Sequence, residues 1–365
     1  MRYLENILTR NHGVKFSIKF FAVFFCVLFW ACNREGETIY QPDPDDIQVD
    51  TMPMVIVVYD YYGIGDLSYN DLIYQGIEEV AMKNNLRTMQ LFPHDIDEGE
   101  ALISRAIDEM NASTDNVRRL LIVTSAIYDQ LLREKSGLLT NPNADILYFE
   151  TRNPFESKAS TFFINYYGAM FLAGYISPVF VKNVLVVAAN PVNPSVKKAV
   201  KAFEDGFAAS SFPKGNIKTV YLGSKIDEGF SMTDSAAVVF LNENRQSEMQ
   251  LIMPICGGSA NVLARIASQT SHYNLVGIDR ESPSDICSFS VVKHIENVVA
   301  QSIETWYKNG SMPKHSEFGL TDGFTGVSFH PSDSYIKSVV EENLDNETMS
   351  LIEKTAIEKE VGDEE

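Results

Sequence analysis

From position 54 onward, short apolar runs of strand length alternate with amphipathic segments of helical length, and this alternation restricts the fold more than any other feature of the chain. The first run, MVIVVY at 54–59, is apolar at every position, as expected of a strand buried on both faces of a parallel sheet. A loop follows to position 69, where Asn70 and Asp71 can cap a helix over 72–83. Strands are predicted at 88–92, 120–124 and 146–149, with helices over 99–110 and from about 126 between them. The periodicity therefore predicts an α/β lobe with a parallel sheet flanked by helices.

A second series follows FFIN at 162–165. It opens on a helix through YYGAMFLAGY, in which Gly168, Ala173 and Gly174 permit close packing. Strands at 184–188, 218–222, 250–255 and 275–278 then alternate with helices over 195–209, 235–244 and 260–268. A strand at 288–292 and a helix over 295–308 carry the chain back toward the first lobe, and 318–329 is a short return segment. Lobe 1 is thus expected over 52–163 plus about 294–315, and lobe 2 over 164–293 plus about 316–330. The acidic remainder, 331–365, has weak helical periodicity and reads as a solvated terminal helix that frays. Two α/β lobes joined by more than one crossing form a hinged pair. Ligands of open α/β sheets bind beyond the carboxyl ends of the strands, so the interlobe cleft is the expected site.

The N-terminus carries a separate signal. Arg2, Arg10, Lys15 and Lys19 precede an apolar run over 20–30 that ends at Ala31 and Cys32. That run is about half of the ~20 residues a spanning helix needs. It reads as a signal peptide, 1–31, with Leu28, Phe29, Trp30 and Ala31 resembling a bacterial lipobox and Cys32 becoming the lipidated first residue. An uncleaved membrane anchor is the other reading, and both place the remainder of the chain outside the cytoplasm. Positions 32–51, rich in Glu, Asp, Gln and Pro, are too polar to pack and read as a tether. The net charge of −19 gives no basic field for a phosphate backbone, which excludes nucleic acid but leaves an uncharged nucleoside open. Four cysteines in 365 residues are no disulfide framework; Cys256 and Cys287, both at strand ends, are either a pair or two buried thiols.

Several segments, in order along the chain, carry a resemblance. GIGDLSYND at 63–71 with YQGI at 74–77 resembles the GDxSFN...YEG segment of the basic membrane protein family, the nucleoside-binding lipoproteins of ABC transporters. YGAMFLAGY at 167–175 is similar to the family's EGxFLAGY, and FEDGF at 203–207 to its FExGF. ICGGS at 255–259 resembles a glycine turn after a late strand, GID at 277–279 the family's GVD, SVVK at 290–293 its SxxK, and FGLTDG at 318–323 its closing GLxDGG. The resemblance implies a two-lobed periplasmic-binding-protein type I fold, with parallel sheets flanked by helices and hinge crossovers. It also implies a nucleoside, purine or pyrimidine, or a similar small polar aromatic ligand captured by lobe closure, with an ABC permease as partner.

On that resemblance Tyr69 stands where the first of two sandwiching rings belongs, and stacking is worth about 1 to 3 kcal/mol per base with little selectivity. Asn70 and Asp71 can read a base edge, although Ser68, Asn70 and Asp71 are also what a helix start uses as caps. Asp279, directly after a strand, can accept from both ribose hydroxyls, with Asp66 and Ser68 as further candidates. Gly257 and Gly258 let backbone approach the ligand, and Lys293 can donate to the sugar or hold Asp279, or be a solvated lysine at a strand end. The chain departs from the family where Lys225 follows Gly223 and Ser224 in place of an aromatic, with Phe230 the nearest ring, and where Arg280 and Glu281 follow Asp279.

No HExxH, GxSxG or Walker A motif occurs, and the six histidines lack ligand spacing, so no metal, cofactor or catalytic residue is expected. A hydrolase would have to work with Asp66, Asp71 and Asp279. The expectation is a monomeric, lipid-anchored solute-binding protein of the bacterial cell envelope; the other class is a sensor lipoprotein of the same fold that signals through a partner protein.

Overall fold

The computed structural model describes residues 51–157, 159–243, 250–269, 273–281, 287–329 and 334–362. The leader, Cys32 and nearly all of the tether lie outside the described residues.

The first series folds as β1 (Met54–Val58), α1 (Tyr69–Asn84), β2 (Arg87–Leu91), α2 (Ile96–Ala112), β3 (Arg119–Val123), α3 (Asp129–Lys135), β4 (Ala144–Tyr148) and β5 (Ala159–Ile164). The second runs α4 (Tyr167–Phe180), β6 (Asn183–Ala188), α5 (Pro194–Ala209), β7 (Ile217–Tyr221), α6 (Thr233–Glu243), β8 (Gln250–Ile255), α7 (Ala260–Ala267), β9 (Tyr273–Asp279) and β10 (Cys287–Lys293). The chain then returns through α8 (Ile295–Asn309), β11 (His315–Phe318), β12 (Thr325–Phe329), α9 (Ser334–Asn343) and α10 (Asn346–Val361). Two six-stranded sheets result, ordered β11-β5-β4-β3-β1-β2 and β12-β10-β9-β8-β6-β7. Every pairing in the first is parallel, and in the second only β12 runs antiparallel, against β10. The expected α/β architecture is therefore observed.

The first sheet is covered on both faces, which is why its central strands β1 (MVIVV) and β3 (RLLIV) are apolar at nearly every position. Ile73 and Ile77 of α1 and Val298, Ile303 and Trp306 of α8 fill one side, while Ile103, Ile107 and Met110 of α2 and Leu132 of α3 fill the other. In the second lobe α4 and α5 approach to backbone contact. A Cβ on Gly174 would lie 2.0 Å from the Phe203 carbonyl oxygen, and one on Gly206 would lie 1.9 Å from that of Phe171. Gly174 thus does what its place in a small-residue segment predicts. Cys256 and Cys287 are not joined in a disulfide; both are buried in this lobe's core.

Three details differ from the reading of the sequence. Helix α1 begins at Tyr69, because Asp66 rather than Asn70 or Asp71 satisfies its first amides. The return segment is two strands in different sheets: β11 pairs with β5, so lobe 1 extends to Phe318, and only β12 belongs to lobe 2. Finally, α10 is no fraying tail. Ile352, Ala356 and Glu360 are buried, Glu360 to 6% exposure, because this face packs on α4.

The chain crosses between lobes at 165–166, at His294 and at 319–324. The third crossing lies between the others: the Asn165 amide donates to the Phe318 carbonyl at 2.7 Å, and the His294 amide to the Phe324 carbonyl at 2.8 Å.

Candidate functional site

The cleft is built from the carboxyl ends of the two parallel sheets. On lobe 1 the loop 63–68 leads into α1, and its polar side chains hold the loop itself. One Asp66 carboxylate oxygen accepts from the Ser68 and Asp71 amides at 2.9 and 3.2 Å, the other from the Asn70 amide at 2.9 Å. The Asp71 carboxylate accepts from the Gly65 and Leu67 amides at 2.6 and 2.8 Å. Three amides on one carboxylate at a helix start form a charged cap, favourable also to the helix dipole. Asp66 and Asp71, expected as ligand contacts, thus have backbone partners on both oxygens. The Asp66 main-chain oxygen additionally receives the side-chain amide of Asn261 from lobe 2 at 3.1 Å.

Asn70 points inward and is 2% exposed. Its amide nitrogen donates to Asp60 at 3.1 Å, while its oxygen is buried without a hydrogen-bond partner. Thr124, just past β3, has a fully buried hydroxyl that is likewise unpartnered, and its main-chain oxygen accepts from the Tyr69 hydroxyl at 3.0 Å. Burial pushes the Asp60 carboxyl up to about 6, against the opposing bonds from Asn70 and the Tyr62 amide. Buried polar atoms are normally satisfied, so the Asn70 oxygen, beside a carboxylate hard to ionise, and the Thr124 hydroxyl are two costly orphans at the ends of adjoining elements.

Lobe 2 supplies Asp279, whose φ of +64° places a non-glycine residue in the left-handed region at the very end of β9. Such strain clusters at ligand sites, and Asp bears it better than most residues. Its carboxylate accepts from the Ser68 hydroxyl across the cleft. Burial raises its pKa, opposed by nearby Lys293 and the Ser68 bond. Lys293 pairs instead with Glu150 of lobe 1 at 2.5 Å and lies 5.4 Å from the Tyr69 ring centre and 5.8 Å from that of Tyr166. It is not the solvated lysine that a strand end also allows.

The glycine turn meets Phe230. A Cβ on Gly257, at φ +52°, would come within 3.2 Å of the Phe230 ring, and one on Gly258 within 3.3 Å of its carbonyl and 3.9 Å of Asp66. Phe230 therefore stands at the seam, its ring centre 6.0 Å from that of Tyr62. Lys225 is turned outward to an ion pair with Glu228 at 3.4 Å, and Arg280 is exposed, so neither departure from the family pattern fills the cleft. Tyr61 donates to the Asp227 carboxylate at 3.2 Å and Tyr62 to the Asp227 carbonyl. With Ser68 to Asp279 and Asn261 to Asp66, these bonds close the two lobes on one another.

The structure thus brings Ser68, Tyr69, Asn70, Asp279, Lys293 and the 257–258 turn to one seam. Asp60, Thr124, Glu150, Tyr166 and Phe230 join them without having been singled out as ligand contacts. Asp60, Thr124 and Glu150 follow β1, β3 and β4 by one or two residues, and applying the rule that picked out Asp279 to every strand end would have found them.

A family model described as the Bmp, PnrA-like ABC transporter substrate-binding protein matches residues 54–361. Among solved structures, the chain resembles an ABC transporter solute-binding protein from Aeropyrum pernix K1 at 15% identity and TM-score 0.62, covering 84% of this chain and 86% of that one. A second, from Conexibacter woesei, is 12% identical with TM-score 0.58 over 85% and 97% of the two chains. A protein titled a transcriptional activator of the comK gene, from Bacillus halodurans, is 15% identical with TM-score 0.62 over 83% and 98%. Comparison with curated proteins finds no match.

Proposed function

Because the chain belongs to the Bmp family of PnrA-like ABC transporter substrate-binding proteins, we propose that it is the extracytoplasmic solute-binding protein of an ABC transporter for an uncharged nucleoside, anchored through a lipid on Cys32. In this reading the base stacks on Tyr69, with Phe230 closing from the opposite lobe. The base edge meets Asp60, Asn70 and Thr124. The ribose hydroxyls donate to Asp279, with Ser68 and Lys293 around them.

One observation carries the reading: the buried, unpartnered Asn70 oxygen, beside Asp60, and the Thr124 hydroxyl. Acceptors dominate this corner, so they suit a base edge presenting adjacent N–H donors, as guanine does at N1 and N2. Phosphate is disfavoured, since Asp60, Glu150 and Asp279 surround the seam and Lys293 is already bonded to Glu150. Closure removes water from these groups, which strengthens each hydrogen bond they make.

Calorimetric titration with guanosine, inosine, adenosine, uridine, free bases and guanosine monophosphate tests the proposal. Guanosine or inosine is expected to bind most tightly and the monophosphate at least tenfold more weakly. Equal binding of the monophosphate, or silence across all the nucleosides, would overturn the reading.

A further inference from the structure

The last helix of the chain reaches the hinge. Glu360, near the end of α10, extends its carboxylate between two of the three interlobe crossings. One oxygen accepts from the Gly168 amide at 2.7 Å, in the first turn of α4 just after the 165–166 crossing. The other accepts from the Leu320 amide at 2.9 Å, inside the 319–324 crossing. The main-chain oxygen of Glu360 takes the Asn165 side-chain amide at 3.4 Å.

The surroundings are shaped for this carboxylate. A Cβ on Gly168 would stand 2.6 Å from one of its oxygens, and a Cβ on Gly319 would stand 2.2 Å from the other. Neither glycine has the positive φ that would by itself call for glycine. Each is needed for the room it leaves. Two glycines, one in the first turn after the first crossing and one on the third, together with a buried acid from another element, make one built socket. Asp322 and Arg152 are the charged neighbours, the first disfavouring and the second favouring the ionised acid.

We infer that Glu360 is a positioning residue for lobe closure: it ties the first and third crossings to α10 and so restricts how far the lobes part. A carboxylate is suited to this role, because it alone offers an acceptor to both amides at once. Glutamine turns a donor toward one of them, and alanine leaves both bare. The inference rests on the reading of the protein as one that binds by lobe closure. The C-terminal helix then belongs to the hinge mechanism rather than to the packing of lobe 2 alone.

Hydrogen exchange of the full-length protein, wild type beside Glu360→Gln and Gly319→Ala, tests this without any ligand. Gly319→Ala displaces the carboxylate while leaving α10 intact, and so covers the case in which altering Glu360 prevents folding. Exchange about tenfold faster is expected at 166–168 and 319–320 and in the cleft segments 60–71 and 257–261, with α5 unchanged. Unchanged exchange at the crossings, or uniform acceleration across lobe 2 including α5, would overturn the inference. Where guanosine binds the wild type, its dissociation is expected to quicken in both variants; an unchanged rate alongside faster exchange would reduce Glu360 to a structural clamp and also overturn it. If guanosine does not bind the wild type, the ligand reading fails, and exchange in the cleft segments still decides the hinge role.

Discussion

The loop 63–71 and the strand ends that face it hold nearly the same residue types and use them in opposite ways. In the loop, Asp66 and Asp71 have amide partners on every carboxylate oxygen, and the result is a fixed shape. At the strand ends, Asp60 and Asp279 are partly buried with raised pKa values; Asp60 takes the Tyr62 and Asn70 donors on one oxygen, and Asp279 takes the Ser68 hydroxyl on one of its own. A carboxylate satisfied by its own backbone builds structure, whereas one held short of partners is available to a ligand. Type and position along a motif do not separate the two; whether donors occupy both carboxylate oxygens does.

The sharpest way to break this contrast is Asp279→Ala. Removing a buried acceptor of two hydroxyl bonds is expected to weaken guanosine binding by roughly 100-fold or more, at about 1.5 to 3 kcal/mol per charged hydrogen bond. Thermal unfolding is expected to change modestly, by about 1 kcal/mol, because the carboxylate makes one bond within the protein and alanine bears the +64° φ less well than Asp. Asp66→Ala is expected to do the reverse. Losing a cap that serves three amides should cost about 2 kcal/mol of stability in a urea titration, with less than about tenfold loss of affinity. If both variants weakened binding equally without a stability difference, the division between loop and strand ends would not hold.

A smaller effect comes from Asp60, whose carboxyl is pushed up to about 6 by burial. Because the folded state holds this proton more tightly than the unfolded chain, its contribution to stability is complete below about pH 4 and is lost as pH rises through about 6. Ligand donors prefer the ionised form, so affinity should rise by roughly tenfold through the same range and release a proton on binding below it. Asp60→Asn should flatten both profiles. Calorimetry in two buffers of different ionisation heat reads the proton directly.

The alternation of runs and amphipathic segments made both sheets legible, because a strand buried on two faces cannot hide its composition. What it concealed was the sheet to which each short late strand belongs. β11 and β12 lie within one continuous return segment, and only pairing with β5 and β10 separates them. Helix α10 was misread for a related reason: its exposed face is so acidic that the periodicity of Ile352, Ala356 and Glu360 is diluted, and one of those buried residues is itself an acid. At the site, motifs located the 63–71 loop and Asp279. Thr124 and Glu150 escaped because a lone polar residue after a strand has no spacing to announce it, and Lys225 drew attention away from Phe230.

The threading of the chain also sets a schedule. Lobe 1 lacks α8, with its buried Trp306, and the edge strand β11 until nearly all of lobe 2 has been synthesised. At 5 to 20 residues per second this is a delay on the order of 10 s, during which one face of β1, β3 and β4 has only α1 to cover it. A nascent chain in that condition cannot finish either lobe early. The order of synthesis itself keeps the polypeptide unfinished while it is being handed on, which suits a protein destined for the far side of a membrane.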